Sequence, residues 1–383
     1  MTNNQSQITN HQLRIGITGQ AGFVGTHLYN FLGLKKEVTR ISFKRTYFQD
    51  NNQLNNFVKS CDVIVHLAAM NRHGDPQLIY DTNIELVNKL IKSCETTNST
   101  PHILFSSSTQ EEKGTSYGKS KFDGRKLLEE WAERNQAKFT GFIIPNVFGP
   151  FGNPYYNSFI ATFCHQLTHN EIPKIDIDGE VKLIYVTDLV EEFWKQIKKS
   201  PLTPSTFTVK HSETIKVSKV LSLLENYKKN YLEEGIFPDL NKDFNRNLFN
   251  TFVTYIDHEN YFPHLLTLHT DDRGSFVETS KVEGGQNSFS TTLPGITRGN
   301  HYHLRKAERF TVIKGKAKIE LRRIGTDKVH TFFLDGDKQP CYVDMPIWYT
   351  HNITNIGDDI LYTIFWISEH YNPEEGDTYF EKV

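Results

Sequence analysis

Three glycines, spaced three residues apart, follow a short β-rich run near the start of the chain. The run is 13–18, and the segment Gly19-Gln-Ala-Gly22-Phe-Val-Gly25 comes directly after it. From Phe23 onward the apolar residues have helical spacing, so a strand, a tight turn and a helix follow in order. Backbone N–H groups at such a turn can approach a pyrophosphate, and the helix N-terminus favours the anion. The pattern predicts a dinucleotide site; the alternative is that the glycines only shape a tight turn.

Strand and helix patterns alternate through the first half of the chain. The further strand candidates are 38–43, 62–67, 102–105 and 141–144. The helical candidates are 76–94, 117–135, 216–231 and 245–255. Such alternation predicts an α/β fold with a Rossmann-type, doubly wound parallel sheet.

The second half has a different pattern. From about residue 262 it shows short alternating runs such as 317–321, and glycines separate these runs. That rhythm predicts an all-β antiparallel barrel or jelly roll. The polar segment 257–263 contains a proline and marks the change. We therefore predict a dinucleotide-binding domain over 1–257 and a β domain over 258–383.

The composition favours a small-molecule partner over a polyanion. The 383 residues include 43 basic and 45 acidic side chains, which leaves a net charge of −2, and there is no long basic run. We therefore expect no binding to nucleic acid or to an anionic membrane. Residues 1–12 are polar and lack the apolar core of a signal peptide. No apolar run approaches the roughly 20 residues of a membrane span, so we expect a cytoplasmic protein.

A tyrosine and a lysine four residues apart predict proton transfer. Tyr117 and Lys121 share one face of a predicted helix. A phenol has an unperturbed pKa near ~10, and an adjacent ammonium favours the phenolate, so that the phenol can exchange protons near neutrality. A hydroxyl from the serines 106–108, at the end of the preceding strand, can polarise a substrate carbonyl. The alternative is a surface tyrosine that happens to lie near a lysine.

Two basic residues follow the second predicted strand. NAD-specific folds place an Asp or Glu there for the ribose hydroxyls, whereas this chain has Lys44 and Arg45. Basic side chains suit the 2′-phosphate of NADP. Solvated loop charges are the alternative.

Seven short stretches follow each other along the first half of the chain. They are the glycine turn, His66-Leu-Ala-Ala69, Asn83, the serines 106–108, the Tyr117 and Lys121 pair, Asn146-Val-Phe-Gly-Pro150 and Tyr185-Val-Thr-Asp188-Leu. In this order they resemble an extended short-chain dehydrogenase/reductase, the group that acts on nucleotide-linked sugars. Only eight residues separate Ser108 from Tyr117, and Pro145-Asn146 stands where many relatives have an arginine nearby.

The resemblance implies a role for each of these residues. Tyr117 is the acid, Lys121 holds the nicotinamide ribose and tunes Tyr117, Ser108 hydrogen-bonds the carbonyl, and Asn146 contacts the substrate. The residues that would bind the cofactor are Gly19, Gly22, Phe23, Val24, Gly25, Lys44, Arg45, Leu67, Ala68, Tyr117 and Lys121.

The second half carries a candidate metal site. His301 and His303 alternate along one predicted strand and so point to the same side, and Glu308 can arrive from the next strand. With Gly295 and Gly315 they resemble the first cupin motif, and His351 lies in a looser second motif. Three imidazoles and a carboxylate suit zinc, with Mn, Fe and Ni as alternatives. A metal-free cupin fold is the other possibility.

Taken from end to end, the chain resembles CapF-type enzymes, also called WbjC or FnlB, of capsule and O-antigen synthesis. The run 271–278 resembles the opening strand of sugar-nucleotide 3,5-epimerases of the cupin class. The resemblance implies that the cupin epimerises C3 of UDP-2-acetamido-2,6-dideoxy-β-L-arabino-hexos-4-ulose. The first domain then reduces C4 with NADPH to UDP-2-acetamido-2,6-dideoxy-β-L-talose, towards UDP-N-acetyl-L-fucosamine. It also implies a homodimer through the cupin domain.

Other functions remain open at this point. One is a reductase fused to a cupin that serves only dimerisation or regulation, and another is a UDP-sugar 4-epimerase. No epimerase base is identified, and Tyr302, Lys314 and His330 are the nearby candidates.

Overall fold

A computed structural model describes residues 12–266, 269–271, 274–276, 281–282, 285–369 and 373–383. Two compact units divide the chain, Met1–Val147 with Lys182–Thr214 and Phe148–Val181 with Ile215–Val383. These units are defined by which residues pack together, and each contains more than one stretch of the sequence. The domain boundary after residue 257 therefore stays a prediction.

Helices lie at each of the predicted places, with ends that differ by a few residues. The helices are α1 Phe23–Gly33, α2 Asn51–Lys59, α3 Pro76–Thr96, α4 Ser116–Arg134, α5 Phe159–Thr168, α6 Val186–Lys199, α7 Val217–Tyr227, α8 Asp243–Val253 and α9 His258–Tyr261. Of these, α2, α5, α6 and α9 were not predicted. A π-helical segment, Lys228–Glu233, continues α7, and a 3-10 helix spans Thr109–Lys113. No helix in the described ranges is both long and apolar enough to cross a membrane.

The first nine strands are β1 Leu13–Thr18, β2 Val38–Ile41, β3 Val63–His66, β4 His102–Ser108, β5 Phe139–Ile144, β6 Asn146–Phe148, β7 Glu180–Tyr185, β8 Ser205–Thr208 and β9 Glu213–Lys216. Six of them form one parallel sheet in the order β2-β1-β3-β4-β5-β8. Neighbouring residues on β3 alternate between two cores, since Ile64 packs with residues of α2, α3 and α4, whereas Val63 and Val65 pack with residues of α1 and α6. This confirms the doubly wound parallel sheet.

The strand order creates a crevice at the carboxyl end of β1, because the chain continues to β2 on one side of this strand and then to β3 on its other side. β1 has β2 on one side and β3 on the other, and Thr18 at the end of β1 lies opposite His66 at the end of β3. In open α/β sheets, ligands bind outside the carboxyl ends of the strands at this switch point. The glycine turn begins there.

The remaining strands are β10 Ile236–Phe237, β11 His264–Leu265, β12 His269–Asp271, β13 Gly274–Phe276, β14 Lys281–Val282, β15 Gln286–Thr292, β16 Thr297–Tyr302, β17 Glu308–Lys314, β18 Lys316–Arg323, β19 Val329–Asp335, β20 Cys341–Met345, β21 Tyr349–Asn355, β22 Leu361–Ile367 and β23 Tyr379–Phe380. Two five-stranded sheets have the orders β11-β20-β17-β22-β15 and β19-β18-β21-β16-β23. One core joins both sheets, with Val312 and Val343 from the first and Ile319 and Leu321 from the second. This confirms the predicted all-β domain of antiparallel sheets. Of the run 271–278, residues 272–273 and 277–278 lie outside the described residues.

A buried ion pair joins the β strands to the helical part of the second unit. Arg309 donates through Nε and Nη2 to both Asp344 oxygens, at 2.7 and 2.9 Å. The Tyr231 hydroxyl, from the π-helical segment, donates to the same carboxylate. All three side chains are almost fully buried. Removing one partner of a buried pair costs about 3–5 kcal/mol, because it leaves an uncompensated charge.

Candidate functional site

The glycine turn is shaped for close approach of backbone groups. Gly19 has a φ of +76°, and a Cβ on Gly25 would lie 2.2 Å from the Gly19 carbonyl oxygen, so both positions require glycine. α1 begins at Phe23 and Val24 with no acidic residue in its first turn, and its N-cap, Gly22, offers no capping side chain. The N–H groups of this helix end are therefore available to an anion.

The two basic residues follow β2. The segment directly after this strand is hydrogen-bonded to the glycine turn. Gln20 accepts a hydrogen bond from the Phe43 N–H at 3.2 Å. Lys44 and Arg45 follow directly and are exposed. Within the described residues neither forms an ion pair, so both can bind a phosphate.

A buried threonine and histidine hold the ends of β1 and β3 together. Thr18 Oγ1 lies 2.7 Å from His66 Nδ1, and complete burial lowers the pKa of His66 to about 3, with Lys121 adding to the effect. The imidazole is therefore neutral at neutral pH. Leu67 and Ala68, which follow β3, are half-buried, and the Leu67 N–H donates to the Thr18 carbonyl at 3.1 Å. Both predicted cofactor residues thus border the turn.

Tyr117 and Lys121 lie in the first turns of α4, as the spacing predicts. Thr115 caps this helix by accepting from the Gly118 N–H at 3.1 Å. Tyr117 is half-buried and Lys121 is almost fully buried, with Nζ 5.7 Å from the centre of the Tyr117 ring. Lys121 Nζ donates to the Ser106 carbonyl at 2.8 Å. The chain thus brings the tyrosine, the lysine and the end of β4 together.

Burial brings the lysine into the physiological range. The pKa of Lys121 falls to about 7 because its ammonium is desolvated, and the Glu111 carboxylate only partly opposes this. A group with such a pKa changes charge near neutral pH, which is a feature of functional sites.

The three serines have different partners. The Ser106 hydroxyl donates to the His66 carbonyl at 3.2 Å, and the Ser107 hydroxyl donates to Glu111. Ser108 Oγ accepts from the Gln110 N–H at 3.1 Å and caps the 3-10 helix. Among the described residues nothing accepts the Ser108 hydroxyl proton, which is therefore available to a ligand.

Sequence reasoning missed a buried ion pair beside these serines. Arg125 of α4 donates through Nε and Nη2 to Glu111, at 2.9 and 2.7 Å, and both side chains are 8% exposed. Glu111 lies in the short segment between Ser108 and Tyr117. The pair therefore fixes that segment against α4. No spacing signal marks it.

Two asparagines of the predicted motifs differ in environment. Asn83, in α3, bonds both the N–H and the carbonyl of Met70, at 2.7 and 3.0 Å, and donates to Ser120 at 2.9 Å. It thus fixes the loop after β3 against α4. Asn146 begins β6 and is exposed, and its amide donates to the Lys182 carbonyl at 3.4 Å.

The four predicted metal ligands lie together in the β domain. One ligand atom from each of His301, His303, Glu308 and His351 lies within 4.8 Å of the others. Glu308 Oε2 lies 4.0, 3.4 and 3.0 Å from the Nε2 atoms of the three histidines in that order. Ligand atoms about 2.1 Å from a tetrahedral ion are roughly 3.4 Å apart, so the set fits a small divalent cation. His303 lies one residue beyond the end of β16, after a bulge between Gly299 and His301.

Backbone carbonyls orient the imidazoles. His303 Nδ1 bonds the carbonyl of Asp377, His351 Nδ1 lies 3.2 Å from the carbonyl of Tyr349, and the Gly299 backbone hydrogen-bonds His301. A ring that donates from Nδ1 keeps a lone pair on Nε2 for a metal. His303 Nε2 is buried and has no hydrogen-bond partner in the described structure. These features fit a metal.

The charges of the cluster also suit a cation. Burial alone would raise the pKa of Glu308, but the neighbouring imidazoles of His303 and His351 outweigh it and hold the pKa well below its usual range. Burial, aided by the neighbouring imidazoles, lowers the pKa of His301 to about 4. An ionised carboxylate and a neutral imidazole are the forms that bind metal.

The three candidate bases have separate environments. Tyr302 is buried and stacks between Trp348 and Tyr379, with ring centres 5.7 and 5.6 Å away. His330 Nδ1 lies 3.3 Å from a Glu259 oxygen, and Lys314 is exposed. The structure therefore selects none of them.

Comparison with known proteins covers both halves of the chain. Residues 15–209 match the NAD dependent epimerase/dehydratase family, and residues 269–379 match the polysaccharide biosynthesis C-terminal domain. The UDP-2-acetamido-2,6-beta-L-arabino-hexul-4-ose reductase of Pseudomonas aeruginosa is 33% identical over 371 residues, which are 96% of this chain and 98% of that protein. The spore coat polysaccharide biosynthesis protein SpsL of Bacillus subtilis is 28% identical over 122 residues, 29% of this chain and 81% of that protein.

A solved structure extends the likeness to the whole fold. The capsular polysaccharide assembling protein CapF from Staphylococcus aureus is 34% identical, with a TM-score of 0.61, over 96% of this chain and 100% of that chain. The chain therefore belongs to the NAD-dependent epimerase/dehydratase family, the extended short-chain dehydrogenases/reductases. Its full-length likeness to CapF confirms the CapF-type resemblance, and the family establishes a nicotinamide dinucleotide as the class of cofactor.

Proposed function

We propose that this protein is a bifunctional enzyme of polysaccharide precursor synthesis. Its β domain epimerises C3 of UDP-2-acetamido-2,6-dideoxy-β-L-arabino-hexos-4-ulose, and its first domain reduces the C4 ketone with NADPH to UDP-2-acetamido-2,6-dideoxy-β-L-talose. The observation that supports the proposal is that one chain carries two candidate sites, the Ser108, Tyr117 and Lys121 group and the His301, His303, Glu308 and His351 cluster.

In the reduction, Tyr117 and Ser108 act on the C4 oxygen. When bound, NADPH supplies the hydride. The Ser108 hydroxyl donates a hydrogen bond to the ketone, and Tyr117 gives its proton to the oxygen as negative charge develops there. Lys121, held by the Ser106 carbonyl, would contact the nicotinamide ribose of a bound cofactor and favours the phenolate that remains on Tyr117. Asn146, exposed at the start of β6, is the proposed sugar contact.

In the epimerisation, His301, His303, Glu308 and His351 would hold a zinc ion. When bound, the metal supplies Lewis-acid polarisation of the C4 oxygen. The proton at C3 is acidic only while C4 is a ketone, because the carbanion must delocalise into that carbonyl. Epimerisation therefore precedes reduction.

One incubation separates this proposal from its alternatives. The protein is mixed with the UDP-4-keto sugar and NADPH in heavy water, and NADPH absorbance is followed while NMR reports deuterium at C3. We expect NADPH loss together with deuterium at C3 of the product. NADPH loss without deuterium indicates a reductase with a silent cupin, and interconversion without net NADPH loss indicates a 4-epimerase.

The proposed oligomer is a homodimer through the β domain. This domain leaves the apolar side chains of Phe289 and Leu293 more than half exposed, at 61% and 64%. Light scattering on the purified chain measures the mass, and a monomer at working concentration would contradict the dimer.

Cofactor choice follows from Lys44 and Arg45. A paired phosphate is worth about 1.5–3 kcal/mol, so we expect catalytic efficiency with NADPH to exceed that with NADH roughly tenfold or more. The double variant Lys44→Ala with Arg45→Ala should lose most of this preference, because it should weaken the binding of NADPH and leave the binding of NADH unchanged. Lys36→Ala removes an exposed charge before β2 and should leave the preference intact. Equal efficiency of the wild type with both cofactors would contradict the assignment.

A further inference from the structure

The C-terminal residues run beside the strand that carries the proposed metal ligand His301. β23 pairs antiparallel with β16, which places Phe380 opposite His301 and Tyr379 opposite Tyr302. The Glu381 N–H continues the ladder by donating to the Asn300 carbonyl at 2.9 Å. The segment 377–382, called the C-terminal clasp below, therefore borders the cluster along the edge of its sheet.

Asp377, the first residue of the clasp, is buried to 1% exposure. Its carboxylate accepts from the backbone N–H groups of Leu304, Arg305 and Lys306, at 3.0, 2.9 and 3.1 Å. Within the described part of the chain its carboxylate forms no ion pair with a side chain, and these three N–H groups satisfy its buried oxygens. Its own carbonyl oxygen accepts from His303 Nδ1.

These contacts bear on two ligands at once. The turn 304–306 joins His303 to Glu308, so the carboxylate of Asp377 fixes the backbone that sets the separation between them. The carbonyl of the same residue fixes the ring orientation and the tautomer of His303. Partners behind a metal ligand commonly change metal affinity by 10–100-fold when they are lost.

We propose that Asp377 is a positioning residue for the cation site and that its carboxylate and carbonyl contacts, and not those of the rest of the C-terminal clasp, set the affinity of that site for a divalent metal. The inference rests on the metal site proposed above. Asp377 contacts no ion itself. It holds His303 and the 304–306 turn in the arrangement that four ligands require.

The clasp also supplies its own control residue. Glu381 pairs with Arg322 at 2.7 Å, with its side chain 39% exposed, and contacts none of the four ligands. Glu381→Gln therefore makes the same carboxylate-to-amide change in the same segment without touching the cluster.

The test compares zinc affinity in full-length Asp377→Asn, Glu381→Gln and wild type by competition with a chromophoric chelator. We expect Asp377→Asn to bind zinc 10–100-fold more weakly and Glu381→Gln to match the wild type within about twofold. Cobalt substitution adds a spectroscopic readout, because the intensity of the visible bands reports ligand geometry. Asp377→Asn should alter these bands even at saturating cobalt, which a loss of stability elsewhere would not do.

A second measurement uses only the wild type, in case Asp377→Asn does not fold. Coupling between two binding events is reciprocal, so if the docked clasp strengthens zinc binding tenfold, zinc must strengthen docking of the clasp tenfold. Hydrogen exchange should therefore slow about tenfold on zinc addition in peptides covering 304–306 and 377–382.

The outcomes separate this inference from the function on which it rests. A wild type that binds no zinc overturns the metal site and the inference together. A wild type that binds zinc, with Asp377→Asn equally tight and its cobalt bands unchanged, overturns the inference alone. Exchange in 304–306 and 377–382 that does not respond to bound zinc overturns it as well.

Discussion

Replacing Tyr117 with phenylalanine should lower the rate of ketone reduction by about 10² or more. The change removes the proton donor but keeps the ring, which is half-buried next to Lys121. Hydride transfer to C4 would then leave an oxyanion without its proton source. Deuterium exchange at C3, which we propose for the β domain, should continue at its normal rate. Steady-state NADPH absorbance and NMR of the sugar measure the two activities on one sample.

Tyr80 provides the matched control for this variant. Its hydroxyl donates to Asp123 at 2.8 Å on the surface between α3 and α4, so Tyr80→Phe removes the same atom outside the site. It should leave reduction unchanged. Lys121→Ala should weaken both cofactor binding and turnover. Near-normal NADPH oxidation by Tyr117→Phe would remove Tyr117 from the mechanism.

Replacing His351 with alanine should empty the metal site. His351 is 1% exposed, and its Nε2 lies 3.0 Å from Glu308, so its loss removes one of the four proposed ligands. The affinity for zinc should fall by more than the roughly 10–100-fold that is typical when an outer contact is lost. The zinc content that remains after dialysis should therefore fall as well. C3 exchange should fall with it if the metal polarises the ketone. NADPH binding should persist, because the glycine turn lies in the other unit.

His165→Ala is the control, since this histidine of α5 lies in the same unit but outside the cluster. It should retain zinc and C3 exchange. His301→Ala should behave as His351→Ala does. If zinc leaves while C3 exchange persists, the metal is structural. If zinc content stays normal in both ligand variants, the four-ligand site does not exist.

The parts that sequence reasoning predicted are those set by local geometry. Strand and helix periodicities located the parallel sheet and the jelly roll. The four-residue spacing placed Tyr117 and Lys121 on one helix face, and the two-residue spacing brought His301 and His303 to one cluster. Each of these patterns lies within one helix or one short stretch of chain, so it can be recognised without knowledge of the tertiary structure.

The parts that it missed depend on contacts between distant positions. Asp377 meets His303 across 74 residues of chain, and Glu111, in the short segment before Tyr117, pairs with Arg125 of α4. A single acidic residue near the C-terminus belongs to no repeating pattern, so the sequence does not indicate which residues it contacts. Which serine keeps a free proton likewise depended on the neighbours of all three hydroxyl groups.

The shared core around Arg309, Asp344 and Tyr231 has a consequence for protein engineering. Tyr231 comes from the helical half of the chain, yet its hydroxyl bonds the carboxylate that neutralises Arg309. A cut after residue 257 would leave Asp344 without this donor. It would also uncover Trp366, whose ring lies 4.1 Å from Phe237. A chimera that exchanges the β domain between relatives should therefore carry 215–261 from the same parent, so that the electrostatic and aromatic partners remain matched.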